Sequence, residues 1–120
     1  MKPHIESTKF GSITIEGEKY DHDVIIRLDG TVKKRKKKLS KELFGTSHVI
    51  SLPEAKHVYE EGARQIIIGT GQSGMVKLSQ EADDFFKLNR CTVEMFPTPE
   101  AIRRWNDSEK FAIGLFHVTC

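Results

Sequence analysis

Ile66-Ile67-Ile68-Gly69-Thr70-Gly71-Gln72-Ser73-Gly74 is the stretch on which the reading of this chain turns. Three isoleucines run into glycines that carry the G-x-G-x-x-G spacing of a dinucleotide-binding turn. In such a fingerprint the helix opens directly on the glycines, so that its N-terminal amides and dipole meet the pyrophosphate. Here Met75-Val76-Lys77-Leu78 intervene before Ser79, the first good helix cap. Glu94 imitates the ribose-binding acid expected about 20 residues downstream, but it falls inside a strand rather than at its end. The chain is also too short for two mononucleotide-binding halves. NAD and FAD are therefore not expected, and no cofactor is predicted. Two readings of the loop stay open. Gly69 and Gly71 let the chain turn sharply off a buried strand, or successive amides form a concave nest for a carboxylate or phosphate. On the second reading Gly69, Thr70, Gly71, Gln72, Ser73 and Gly74 are candidate ligand-binding residues.

The isoleucine run is apolar on both parities, which is the pattern of a strand covered on both faces, as in a parallel α/β sheet. Working outward from it, Ser51-Leu52-Pro53-Glu54 has capping-box spacing and Gly62 stands where a C-cap would, predicting a helix over about 52–61. A second helix is predicted over about 79–89, with Ala82, Phe85 and Phe86 on one face. Cys91 to Phe96 reads as a strand. Thr98 as cap and Pro99 as first residue start a third helix that turns Ile102 and Trp105 inward. Phe111 to Val118 is apolar on both parities and is placed at the centre of the sheet. Upstream, Ser12 to Ile15 and Val24 to Leu28 read as strands, and Asp29-Gly30 is a hairpin signal. A third strand continues through Thr31-Val32 into the lysines. The sum is an α/β fold, a β-rich N-terminal part followed by αβαβαβ, with a mixed sheet and helices on its faces.

The chain has 120 residues, 30% charged and 38% hydrophobic, the profile of one globular domain spanning 1–120. No apolar run approaches the roughly 18 residues of a membrane span, and the first residues lack the apolar core of a signal peptide. With two cysteines only, Cys91 and Cys120, read as free thiols, a cytoplasmic location is expected. The formal net charge of +2 is too small to imply a nucleic-acid partner by itself.

Lys9-Phe10-Gly11, Tyr20 with Asp23, Gly45-Thr46-Ser47-His48, Ile67-Ile68-Gly69-Thr70-Gly71, Thr98-Pro99-Glu100-Ala101 with Asn106, and His117-Val118-Thr119-Cys120 together resemble the Mth938-like family over nearly the whole chain. The resemblance implies a three-layer α/β fold with a mixed sheet. Eukaryotic relatives in that family are linked to adipocyte differentiation and to assembly of respiratory complex I, which implies a binding or assembly role. It carries no established catalytic residue, and it gives no account of the lysines from 33 to 38.

Three further groups of residues bear on chemistry. Thr46, Ser47 and His48 form a polar loop in which His48 either serves an anion or acts as general acid/base, or is bonded to backbone. His117 shares parity with Ile113 and Leu115 and is expected near the core with its nitrogens satisfied by neighbours. With Cys120 it makes an H-x-x-C pair, which falls short of a zinc pattern, and no metal is expected. Lys33-Lys34-Arg35-Lys36-Lys37-Lys38 is a run of six cations without an aromatic residue to stack on bases. Arg35 is placed on the side that turns toward the His48 loop. The expected function is a small-anion or protein-binding module, monomeric or weakly dimeric, without catalysis. The alternatives are an enzyme for a small anionic substrate using His48 and Arg35, and a nucleic-acid accessory protein using the basic run, with nucleic acid the least expected partner.

Overall fold

The computed structural model describes residues 2–108 and 111–120. Its centre is a mixed five-stranded sheet in the order β5-β4-β10-β7-β9. The strands are β4 (Val24–Ile26), β5 (Val32–Lys34), β7 (Gln65–Thr70), β9 (Thr92–Phe96) and β10 (Ala112–His117). β7 runs parallel to both β10 and β9, whereas β4 is antiparallel to β10 and to β5. All six residues of β10 are buried, as its apolar character on both parities requires.

Two cores follow from the alternation of side chains across the sheet. On one face Ile25, Ile66, Ile68, Ile113 and Leu115 pack with Ala55 and Val58 of α2 (Leu52–Val58) and Ala82 and Phe86 of α3 (Gln80–Leu88). On the other, Val24, Ile26, Ile67 and Phe116 pack with Ala101 and Trp105 of α4 (Thr98–Asn106). That second face is completed by Ile5, Ile13 and Ile15 from a three-stranded sheet of β1 (Ile5–Lys9), β2 (Ser12–Ile15) and β3 (Glu18–Tyr20). The result is three layers with the mixed sheet in the middle. A short helix, α1 (Lys38–Phe44), and a parallel pair, β6 (Val49–Ile50) with β8 (Lys77–Leu78), cover the α2 face near its rim.

Local chemistry sets the helix starts. Ser51 Oγ accepts the Glu54 N–H at 3.2 Å and Ser79 Oγ accepts the Ala82 N–H at 3.1 Å, each satisfying an amide that a helix leaves open. The Asp29-Gly30 turn forms as expected, with the Thr31 N–H on Asp29 Oδ1 at 2.9 Å and Gly30 at φ +87°.

Three expectations are corrected. α2 ends at Val58 rather than near 61, because Tyr59 is already extended and the Glu60 carboxylate reaches across to the Leu28 N–H at 2.8 Å. Gly62 lies in the turn beyond. α4 is preceded by Pro97 as its cap residue, while Thr98 turns its hydroxyl inward to other work. Finally, the sequence reading has no counterpart to α1, a helix whose first turn lacks both a side-chain cap bond and an acidic residue.

Candidate functional site

The register of three strands brings the polar residues together. Phe116 lies opposite Val24 and Val24 opposite Lys34. One step further along, His117 of β10, Asp23 before β4 and Arg35 after β5 stand in a row on the α2 face. The row is bonded through its side chains. Asp23 Oδ2 accepts from His117 Nδ1 at 2.7 Å and from Arg35 Nη1 at 3.0 Å, and Asp23 Oδ1 accepts the Val118 N–H at 2.8 Å. Arg35 Nε and Nη2 clasp both carboxylate oxygens of Glu54 at 2.6 and 3.1 Å, and Nη2 also donates to the Ser47 carbonyl at 2.8 Å. Ser40 of α1 closes the network, donating to Glu54 Oε1 at 2.5 Å and accepting the Ser51 N–H at 3.0 Å.

Arg35, Asp23 and Glu54 are fully buried at their side chains. Burial works against the Asp23 charge, but hydrogen bonds from His117 and Val118 and attraction to His117 and Lys37 outweigh it, holding the carboxyl at about 2. Burial alone would lower the Arg35 pKa, whereas its bonds to Glu54 and Asp23 raise it above the ordinary value. An ionised Asp23 obliges His117 Nδ1 to be the donor. His117 Nε2 then faces Thr119 Oγ1 at 3.1 Å, so both ring nitrogens have neighbours. The His48 ring stands edge-on to that of His117, with centroids 5.5 Å apart. The His48 N–H bonds Thr46 Oγ1 at 3.1 Å.

Arg35 does turn toward the 45–48 loop, yet all its bonds go to internal carboxylates and the Ser47 carbonyl, which leaves it holding the protein together rather than facing a ligand. Asp23 and Glu54 are the residues that sequence reasoning missed as site members. Glu54 was legible only as the acidic member of a capping box; its backbone N–H is capped by Ser51 Oγ, but its carboxylate goes to Arg35 and Ser40, and the Ser51 N–H bonds Ser40 Oγ instead. A buried arginine demands carboxylate partners, but nothing in the lysine run marked Arg35 as the buried one, since it follows β5 and shares its parity with the exposed Thr31 and Lys33.

The glycine loop has a different occupant from a ligand. The Gly71 N–H donates to Thr98 Oγ1 at 2.9 Å, and Thr98 Oγ1 in turn donates to the His117 carbonyl at 2.6 Å. The Gln72 N–H goes to the Thr119 carbonyl at 2.7 Å, and the Ser73 and Met75 N–H groups go to the Cys120 carbonyl at 3.1 and 3.3 Å. The Gly74 N–H bonds the Gly71 carbonyl at 3.2 Å. The amides expected to cradle an anion thus cradle residues 119–120 of the same chain. Gly69 and Gly71 are required by close approach. A β-carbon at Gly69 would stand 2.9 Å from Thr98 Oγ1, and one at Gly71 only 2.2 Å from the Cys120 backbone. No helix opens on this loop, since β8 intervenes before α3.

Two clefts lie at the carboxyl edge of the sheet. One, of about 740 Å³, is bounded by Thr70, Ser73, Gly74, Lys77, Met95 and Pro97. The other, of about 580 Å³, has Asp23, Arg35, Val118 and Thr119 on its wall, and Lys34, Lys36, Lys37 and Lys38 around it. Lys37 Nζ lies 3.7 Å from Asp23 Oδ2. The basic run is therefore wrapped over the buried network as β5 passes into α1.

Residues 5–109 match the family described as protein of unknown function (DUF498/DUF598). A conserved hypothetical protein, PH1505 from Pyrococcus horikoshii OT3, superposes with a TM-score of 0.91 at 33% identity, over 100% of both chains. MT938 superposes with a TM-score of 0.83 at 34% identity, over 99% of this chain and 100% of its own. The fold extends to a Bordetella pertussis protein described as a Mth938-like domain, at 15% identity and a TM-score of 0.60, with 97% of this chain and 85% of that one covered. The chain is thus a member of the DUF498/DUF598, Mth938-like family.

Proposed function

We propose that this protein is a binding module for a small anion carrying phosphate or carboxylate groups, held in the cleft beneath residues 34–38. One observation carries the reading: Lys34, Lys36, Lys37 and Lys38 converge on a concave wall whose inner members, Asp23 and Arg35, are fixed by the buried network. Lysines gathered over a low-dielectric wall attract an anion more strongly than the same lysines on an open surface. The rigid row beneath them fixes where their stems emerge, which lowers the entropy lost on binding. The glycine loop serves this reading indirectly, by holding Thr119 at the cleft wall.

The test is thermal unfolding in phosphate, citrate and chloride at one ionic strength. Phosphate or citrate is expected to raise Tm saturably and chloride is not. The triple substitution Lys34→Gln, Lys36→Gln, Lys38→Gln is expected to remove the increment while leaving the anion-free Tm within a few degrees. An increment that survives the triple substitution would place the anion elsewhere, with the glycine-loop cleft next to be tried.

A second reading rests on the Asp23–His117–Thr119 order. A carboxylate on Nδ1 and a hydroxyl beside Nε2 orient an imidazole as acid–base catalysts are oriented. On this reading His117, with His48 edge-on to it, would act on the bound anion through Thr119, which lines the cleft, and Arg35 would act only by fixing Asp23. Turnover of phosphate or carboxylate esters that survives His48→Ala but is lost in His117→Gln would favour it over simple binding.

A further inference from the structure

We propose that the outer edge of β9 is a docking strand for an extended segment of a partner protein in which a lysine or arginine lies between two apolar residues. β9 ends the sheet order, and its ladder partner is β7. The Thr92 N–H points inward, to the Arg64 carbonyl at 2.9 Å. By the alternation of a strand, Glu94 and Phe96 point their backbone groups the same way, and those of Val93 and Met95 point outward. Such a row is a template for another strand unless lysine, proline or a bulge blunts it. Thr92-Val93-Glu94-Met95-Phe96 contains no lysine or proline and pairs in unbroken register, with Pro97 following only at its end.

The two faces beside this edge are unlike each other, and that difference specifies the occupant. On the α3 face Val93 and Met95 are half-buried against the core, and clefts lie on that side between β9 and α3. Side chains of an added strand that lie opposite Val93 and Met95 would pack on those two apolar residues, with Asp83, Lys87 and Arg90 at the rim. On the α4 face Glu94 lies diagonally across from Gln65. Gln65 Nε2 donates to Glu94 Oε2 at 2.5 Å, while Gln65 Oε1 is buried with no hydrogen-bond partner among the described residues. The Glu94 carboxylate therefore stands at the edge with a neutral amide as its donor, and a cation on an added strand is its complement. The neighbouring cations have other engagements: Arg103 and Arg104 bond Glu100, and the Arg64 guanidinium lies over the Phe111 ring at 5.0 Å. A lysine or arginine opposite Glu94 would pair with its carboxylate across the strands.

A second copy of this chain fits less well. Antiparallel pairing along the whole of β9 centres on Glu94 and sets it directly against its own counterpart, and opposed like charges destabilise such a pair.

The experiment is an amide-resolved NMR titration of the protein with the capped peptide Ser-Val-Lys-Val-Ser, and with its Ser-Val-Glu-Val-Ser counterpart. Shifts are expected to saturate and to centre on residues 92–96, with the Val93 and Met95 amides slowing in hydrogen exchange. The glutamate peptide is expected to bind about fivefold more weakly, the effect of turning one attractive cross-strand pair into a repulsive one. Glu94→Lys should reverse that preference. Val93→Pro, which removes an outward N–H, should abolish binding of both peptides, provided its melting curve stays cooperative; Glu94→Lys decides the matter if it does not. Saturation without shifts in 92–96, equal affinity for both peptides, or a dimer of the free protein with the Val93 and Met95 amides already protected would each overturn the proposal.

Discussion

Arg35 is the residue on which the candidate site depends, and its behaviour follows from burial. A guanidinium taken out of water is costly, and here the cost is met by a fork-on-fork pair with Glu54 and a further bond to Asp23. Lysine cannot replace it, because a single ammonium cannot span two carboxylates and the Ser47 carbonyl with the same planar geometry. Removing the charge leaves Asp23 and Glu54 buried beside each other's field. Urea unfolding of Arg35→Met at pH 7 is accordingly expected to show a loss of about 3–5 kcal/mol, and Arg35→Lys a loss in the same direction. The same titration carried to low pH reads Asp23. Its pKa falls from an ordinary 3.8 to about 2 on folding, so its stabilisation is complete above 3.8 and is lost as pH falls toward 2. The parent should therefore lose about 2 kcal/mol from this group over that window. Arg35→Met as stable as the parent at neutral pH would show that the network is dispensable.

At the level of elements, the strand-to-turn passage from β7 into residues 71–74 is where sequence and structure part most instructively. The isoleucine run announced a strand covered on both faces, and the late cap at Ser79 announced that no helix would open on the glycines; both are how β7 and α3 stand. What the loop binds was not legible, because the partner is Cys120, far away along the chain. Capping residues and turn glycines act within a few residues and can be read locally, whereas contacts between β10 and the loop exist only once the sheet has formed. The same reason hid the row His117, Asp23 and Arg35. His117 could be assigned inward by parity, but Asp23 joins it through an antiparallel register that no local pattern encodes. Gly71 tests the account. At φ +106°, with its would-be β-carbon 2.2 Å from the Cys120 backbone, Gly71→Val meets both backbone strain and collision. A fall of about 2 kcal/mol or more is expected, with loss of hydrogen-exchange protection at the Gln72 and Ser73 amides. Unchanged protection in a stable variant would mean that residues 119–120 do not seat on the loop as described.

Across the whole molecule, the feature least predictable from composition is where the charge of the basic run goes. A net charge of +2 hides a run of six cations, and folding divides them: Arg35 is withdrawn into the core, while Lys34, Lys36, Lys37 and Lys38 stand around the cleft. At most five of the six can therefore meet phosphates of a nucleic acid. Each phosphate neutralised releases counterions, giving about −0.9 in the slope of log affinity against log salt for each contact on duplex DNA. The slope measured with any duplex oligonucleotide should then be no steeper than about −4.5, and binding should vanish near roughly 0.2 M salt. With no aromatic residue in the run to stack on bases, no sequence preference is expected. A small anion held inside the cleft loses affinity less steeply, because it carries no condensed counterion atmosphere whose release salt opposes, although the lysines that attract it are screened as well. Titrating the oligonucleotide and citrate in parallel from low to physiological salt separates the two: citrate stabilisation is expected to persist where oligonucleotide binding has gone. A steeper slope, or a base preference that survives at physiological salt, would mean that the lysines form a nucleic-acid surface rather than the rim of an anion site.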